Sequence, residues 1–475
     1  MEVPTKKTKK NLLLIKIAIM RKLFLPLFFA LNLIFLGCSN DDNDNPMPGS
    51  DNETTNFTVS IENMAAVKAF IGSGVFNTPA GQMDPGAATP GKKYEFTIHA
   101  GRKQHLSFVT MLAATNDLFY GPGAEGIALY DENGDPISGD VTDQVYLWDA
   151  GTEVNEEPAV GPNTVTNQPG PDTGVVENGN VLRIEDVTNG EAFDYPAVNE
   201  VIQVSIMHID GTEFKVTIED LPTAHLSTSD GDKPAPVSPG VWVVHNGENP
   251  LYTEDMPDLG QGVEHIAEDG NPMDLGNYVA DHTGVTYPAS PGVWVVHNQG
   301  AKALFTEGSD DYGDGIEAIA EDGNPSELGG NLGSLDGFVD GAVFNTPAGE
   351  SGPGPITPGK SYTFSFDAKP GENLSFATML AATNDVFFAP ADTGIALFDS
   401  GGNPISGDVT GMIYLWDAGT EENEQPAVGP NTVTNQLDKN TGVDENQPVR
   451  LLSDVNDGYT YPPVDQVLKV TISTN

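Results

Sequence analysis

The sequence predicts an all-β protein built as two antiparallel β-sandwich domains with short helices, the first domain circularly permuted. Three observations predict it. Glycine (53) and proline (36) are abundant, as turn-rich β modules require. Apolar and polar residues alternate at period two in short runs such as FTVSIENM (57–64) and TPGKKYEFTIHA (89–100), the pattern of half-buried strands. One long segment is also written twice: residues 106–168 align with 374–436 at a constant shift of 268, without insertion.

In chain order, a positively charged start at Met20-Arg-Lys precedes the apolar run LFLPLFFALNLIFL and then Gly37-Cys38. This is the pattern of a bacterial secretory signal, too short and wrongly flanked for a lasting membrane span. The run IFLGC resembles a lipoprotein signal box, so residues 1–38 read as a lipoprotein signal peptide. Cys38 is then the lipidated first residue of the mature chain. The acidic SNDDNDN that follows resembles the export tag of bacterial surface lipoproteins. The expected location is the outer membrane, lipid-anchored and exposed on the cell surface. Residues 39–56 read as a flexible acidic tether. Cys38 is the one cysteine, so an intrachain disulfide or a Cys-based zinc site is excluded.

The first repeated core follows the strands at 57–64 and 89–100, and YPAVNEVIQVSI (195–206) supplies a closing strand whose twin is YPPVDQVLKVTI (461–472). FKVTIEDL (214–221) echoes FTVSIENM. A shorter repeat fills the middle. SPGVWVVHN occurs at 238–246 and 290–298, each followed by a helical segment, GVEHIAEDGNP (262–272) or GIEAIAEDGNP (315–325). In the second of these, Ile316, Ile319 and Ala320 recur at helical spacing and Gly323 takes the C-cap place. The first core has no SPGVWVVH unit ahead of it, so the spare unit at 235–280 is expected to pack on it from downstream. The domains are therefore expected at 57–285 and 286–475.

Seven of the 21 basic residues but only one of the 69 acidic ones precede Cys38, leaving 14 basic against 68 acidic residues beyond it. Such a body repels nucleic acid and anionic headgroups, so neither is a partner, and the membrane is met only through the lipid. It attracts divalent cations.

Each core carries two acidic landmarks where a strand gives way to a loop: TND (Asp117, Asp385) and WDAGTE (Asp149 and Glu153, Asp417 and Glu421). Calcium takes oxygen ligands, and Gly151 lets the loop turn tightly enough for acids four apart to converge. The plainer reading is that Asp149 only caps a turn. DENGDP (131–136) has its glycine too early for an EF-hand and reads as a hairpin turn. EGSDDYGDG (307–315) reads as a solvated acidic loop. His245 and His297, closing the two WVVH runs, lack the neighbours of a zinc site and read as structural. No GxSxG elbow, P-loop or dinucleotide fingerprint is present.

SPGVWVVH, AEDG, GVFNTP, LSFATMLAATND, WDAGTE and a closing YP strand, taken in that order, resemble the spondin domain, the N-terminal module of F-spondin and mindin. The resemblance implies two copies of a C2-like antiparallel sandwich that binds Ca2+ at one end. It carries the ligands onto Asp117, Asp149 and Glu153, and onto Asp385, Asp417 and Glu421. Glu153 and Glu421 stand where the animal proteins usually have Asp. The expected function is a surface-anchored, calcium-binding adhesion or ligand-binding lipoprotein, not an enzyme, with an extracellular glycan or matrix protein as partner. The alternatives are a surface polysaccharide hydrolase using Asp117 and Asp149, and a passive structural spacer.

Overall fold

A computed structural model describes residues 54–187 and 193–475. The signal segment, Cys38 and the tether up to residue 53 lie outside the described residues. The chain opens on β1 (Thr55–Asn63). Eight strands follow: β2 (Gly72–Phe76), β3 (Lys93–His99), β4 (Gln104–Leu112), β5 (Leu118–Pro122), β6 (Ile127–Ala128), β7 (Gly139–Asp140), β8 (Val145–Asp149) and β9 (Leu182–Arg183). The short helix α1 (Val198–Val201) leads into β10 (Ile202–Asp210) and β11 (Glu213–Asp220). A hairpin, β12 (His225–Thr228) with β13 (Gly231–Pro234), precedes β14 (Val237–Asn246), α2 (Val263–Asp269) and α3 (Met273–His282).

The second half repeats the plan with β15 (Ala289–Asn298), α4 (Ile316–Asp322), α5 (Ser326–Asn331), β16 (Phe338–Phe344), β17 (Ser361–Ala368) and β18 (Glu372–Leu380). It continues through β19 (Val386–Pro390), β20 (Ile395–Ala396), β21 (Gly407–Asp408), β22 (Ile413–Asp417) and β23 (Arg450–Leu451), closing on α6 (Val464–Val467) and β24 (Leu468–Thr474).

These strands make two antiparallel sandwiches. In the first, the order β2-β14-β4-β5-β8-β9, with β6 on β4, faces β3-β11-β10-β7. In the second, β16-β15-β18-β19-β22-β23, with β20 on β18, faces β17-β1-β24-β21. The larger sheet of each is covered on both faces. Its inner side meets the opposing sheet, and its outer side meets α2 and α3, or α4 and α5. That is why β4 and β18 are buried almost throughout, their serines and threonines included, with no alternation of buried and exposed residues. The smaller sheets keep one wet face. β1 buries Phe57, Val59 and Ile61, β11 buries Phe214, Val216 and Ile218, and the residues between them point outward.

Helix α4 buries Ile316, Ile319 and Ala320 and stops at Gly323, whose φ of 63° and N–H bonds to Ala318 and Ile319 make it the C-cap. β14 lies between β2 and β4, so the 235–280 segment completes the first sandwich.

The expected boundary at 57–285 needs correction at its start. β1 pairs with β17 and β24 of the second sandwich, with Phe57 opposite Phe366 and Val59 opposite Ile472. The place expected for it is filled by β11, which pairs with β3 and β10. Gly211 and Thr212 alone separate β10 from β11, and so short a connection favours the local hairpin. β1 is left for the other sheet, so the first sandwich is inserted between β1 and the remainder of the second. The two also touch at the β3–β4 turn. There Arg102 Nη1 donates to Pro430 O at 2.8 Å and Gln104 Nε2 to Ala427 O at 2.7 Å.

Candidate metal centre

The TND and WDAGTE segments meet because β5 and β8 are neighbours, with Leu118 opposite Asp149. Asp117 sits just before β5, Asp149 is the last residue of β8, and Glu153 lies in the loop that leaves it. The second sandwich repeats this with Val386 opposite Asp417. All six expected residues are at most 3% exposed. A buried carboxylate is costly unless a partner, a proton or a metal balances it.

Much of this chemistry is spent on the loop itself. Asp117 Oδ1 accepts from Thr152 Oγ1 at 2.7 Å, and its Oδ2 accepts the Thr152 and Glu153 N–H groups, both at 3.0 Å. Asp149 Oδ1 accepts the Gly151 N–H at 2.6 Å, the turn-capping bond of the plainer reading, and Oδ2 accepts from Asn155. Glu153 accepts from Gly174 N at 2.6 Å and Asn116 Nδ2 at 3.2 Å. In the second sandwich Asp385 accepts from Thr420 and the Glu421 N–H, Asp417 from Asn423, and Glu421 from Gly442 and Asn384.

A fourth buried acid comes from the AEDG helices. Glu268 on α2 and Glu321 on α4 are each 2% exposed. Thr152 Oγ1 lies 2.7 Å from Glu268 Oε1 as well as 2.7 Å from Asp117, and Thr420 Oγ1 stands likewise between Glu321 and Asp385. A hydroxyl has one proton to give, so in the absence of a cation one carboxyl of each pair must bring its own. The second oxygen, Oε2, of both Glu268 and Glu321 is buried without a partner.

Carboxylate oxygens of Glu153, Asp172 and Glu268 come within 4.8 Å of one another in the first sandwich, as do those of Asp385, Asp417 and Glu445 in the second. Among the described residues, these acidic clusters are where a metal ion could sit. Glu268, Glu321, Asp172 and Glu445 are absent from the sequence-derived ligands. A signal for the first two existed: an acid at the edge of an apolar helical stripe, in both copies of the same motif. Nothing local marks Asp172 or Glu445, which the loop brings back from 19 residues beyond Glu153 and 24 beyond Glu421.

Electrostatics agree with the geometry. Burial, reinforced by the charge of Asp149, drives the Asp117 carboxyl well above the ordinary range, and Asp385 behaves likewise beside Asp417. Burial lifts Glu268 and Glu321 to about 8, and Asp149 and Asp417 to about 6.

No protein-family model matches the chain, and no curated protein matches it.

The remaining motifs take structural roles. Asp131 Oδ1 accepts the Asn133 and Asp135 N–H groups, shaping DENGDP into an exposed turn. His245 and His297 are buried, each 2.9 Å through Nε2 from a serine hydroxyl, Ser107 or Ser375. In the 307–315 loop, Asp311 Oδ2 accepts the Gly313 N–H at 2.8 Å. Among the described residues no helix is long and apolar enough to cross a membrane.

Proposed function

We propose that the protein is a non-enzymatic, calcium-binding adhesion or ligand-binding lipoprotein of the cell surface, its two sandwiches being spondin-like. One observation carries this reading. Four carboxylates, Asp117, Asp149, Glu153 and Glu268, are buried at one end of the first sandwich, and Glu268 Oε2 has no partner. Among the described residues, no lysine or arginine forms an ion pair with any of them. An oxygen-only, strongly acidic donor set suits a hard cation such as Ca2+, which needs six to eight oxygens and tolerates irregular geometry. Glu153, Glu268 and Asp172 would hold the ion, while Asp117 and Asp149 brace the loop and add charge. The bound ion would supply the positive charge that these acids otherwise replace with protons. In the second sandwich the corresponding group of acids is Asp385, Asp417, Glu421, Glu321 and Glu445.

A hydrolase using Asp117 and Asp149 is disfavoured, since both are buried and Asp117 already accepts three hydrogen bonds. The lipoprotein-like box IFLGC ending at Cys38 and the acidic residues after it support the surface location. A glycan and matrix-protein array, probed with the intact chain in calcium and in chelator, tests the function. Calcium-dependent capture is expected. Release of sugar products from the glycans would revive the hydrolase, and an empty array would favour the spacer.

A further inference from the structure

The two sites differ in a way that the near-identity of their loops conceals. In the second sandwich Arg450 reaches into the acid group. Its Nη2 lies 2.7 Å from Glu445 Oε1 and 3.3 Å from Asp417 Oδ1, two members of the Asp385–Asp417–Glu445 cluster. The residue opposite Asp417 across the β22–β23 pair is Arg450, whereas the residue opposite Asp149 across β8–β9 is Leu182. The first sandwich does carry an arginine nearby, but one position later. Adjacent strand residues point to opposite faces, so Arg183 is turned away from the acids. Its guanidinium lies 3.7 Å from the centre of the Tyr146 ring and pairs with Glu254.

Two further differences point the same way. Aligned on Gly174 and Gly442, which make the same bond to Glu153 and Glu421, Asp172 is replaced by Asn440 and Pro171 by Lys439. Asn440 donates to Glu317, and it lines with Lys439 an acidic cleft of about 340 Å³ that also includes Asp311 and Glu321. The second site has therefore lost one carboxylate and gained an arginine within it and a lysine at its mouth.

We infer that Arg450 is a built-in counter-cation standing in for the metal in the second sandwich, so that the first sandwich is the calcium-responsive one and the second folds and works without calcium. This rests on the calcium reading and divides the two domains by role. A guanidinium hydrogen-bonded to both Glu445 oxygens and 3.3 Å from Asp417 Oδ1 repels an incoming divalent ion and occupies the Glu445 oxygens that the ion would need.

Calorimetric titration of the intact chain with calcium chloride tests it, comparing wild type with Arg450→Leu and Leu182→Arg. Wild type is expected to show one stronger site, lost in Glu268→Gln, with any second site at least tenfold weaker. Arg450→Leu should strengthen the second site at least tenfold, and Leu182→Arg should weaken the first at least tenfold. Two equal sites in wild type, or a folded Arg450→Leu chain with an unimproved second site, would overturn the inference and leave the calcium reading standing. If Arg450→Leu does not fold, Leu182→Arg decides, and an unchanged first site overturns it. Absence of any binding by wild type at millimolar calcium would refute the calcium reading itself, and the inference with it.

Discussion

Replacing Asp220 with asparagine should stabilise the first sandwich, and increasingly so as pH rises. Asp220 ends β11 fully buried, with neither carboxylate oxygen partnered, and burial lifts its pKa to about 8. Its counterpart at the end of β1 is Asn63, also fully buried, whose Nδ2 donates to Tyr287 O and Ile356 O at 2.9 Å each. Asn63 Oδ1 also accepts the Ala65 N–H, but the residue two beyond Asp220 is Pro222, which has none to give. A carboxylic acid whose folded pKa lies above its unfolded value near 4 holds its proton longer when folded. Stability is then undiminished below about pH 4 and falls as pH rises toward 8. The slope is at most about 1.4 kcal/mol per pH unit, so roughly 4 kcal/mol is the ceiling of the loss at pH 7. Asparagine removes that loss and adds two donors worth about 1 kcal/mol each. Urea denaturation of wild type and Asp220→Asn at pH 5 and pH 8 measures the difference, other titrations cancelling between the two. A gap of about 2–3 kcal/mol at pH 5, wider at pH 8, is expected. A variant less stable than wild type at pH 8, or a gap independent of pH, would refute the reasoning.

Deleting Thr55–Asn63 removes the strand between β17 and β24 together with fully buried Phe57, Val59 and Ile61. At about 2 kcal/mol per side chain this rivals the whole stability of a domain, so hydrogen exchange should show β17 and β24 unprotected while β10 and β11 stay protected. In Gly174→Ala the new Cβ would fall 1.8 Å from Glu153 Oε2 and push that carboxylate aside. Calcium affinity should drop at least tenfold by calorimetry, with the melting temperature in chelator little changed. Since Glu268, lifted to about 8 by burial, holds its proton without a cation, calcium binding at pH 7 should release protons and weaken from pH 8 to pH 6. Heats of binding that do not vary with the ionisation enthalpy of the buffer would count against it.

Much of this was readable from local pattern. Alternation at 57–63 and 214–220 marks one-sided strands, the lack of strict alternation in LSFVTMLAA around Phe108 marks a strand covered on both faces, and Gly323 marks a helix end. What local pattern cannot choose is the partner of two nearly equivalent strands. β1 and β11 present the same inward series, and the tight turn between β10 and β11 decides between them. The site was legible as far as strand ends bring acids together, in Asp117, Asp149 and Glu153. Glu268 arrives from a helix more than 100 residues downstream, and its burial beside Thr152 is a tertiary fact. The contrast between Arg450 and Leu182 also hides in sequence, because both copies carry one arginine and only its register decides which face it takes.

The most direct test of the central claim is anomalous diffraction from crystals of the intact chain grown in calcium. A peak among Glu153, Asp172 and Glu268, with none or a weaker one beside Arg450, is the expected result. Peaks confined to exposed acidic loops such as 307–315, with the first-sandwich acids protonated and metal-free at neutral pH and millimolar calcium, would contradict it.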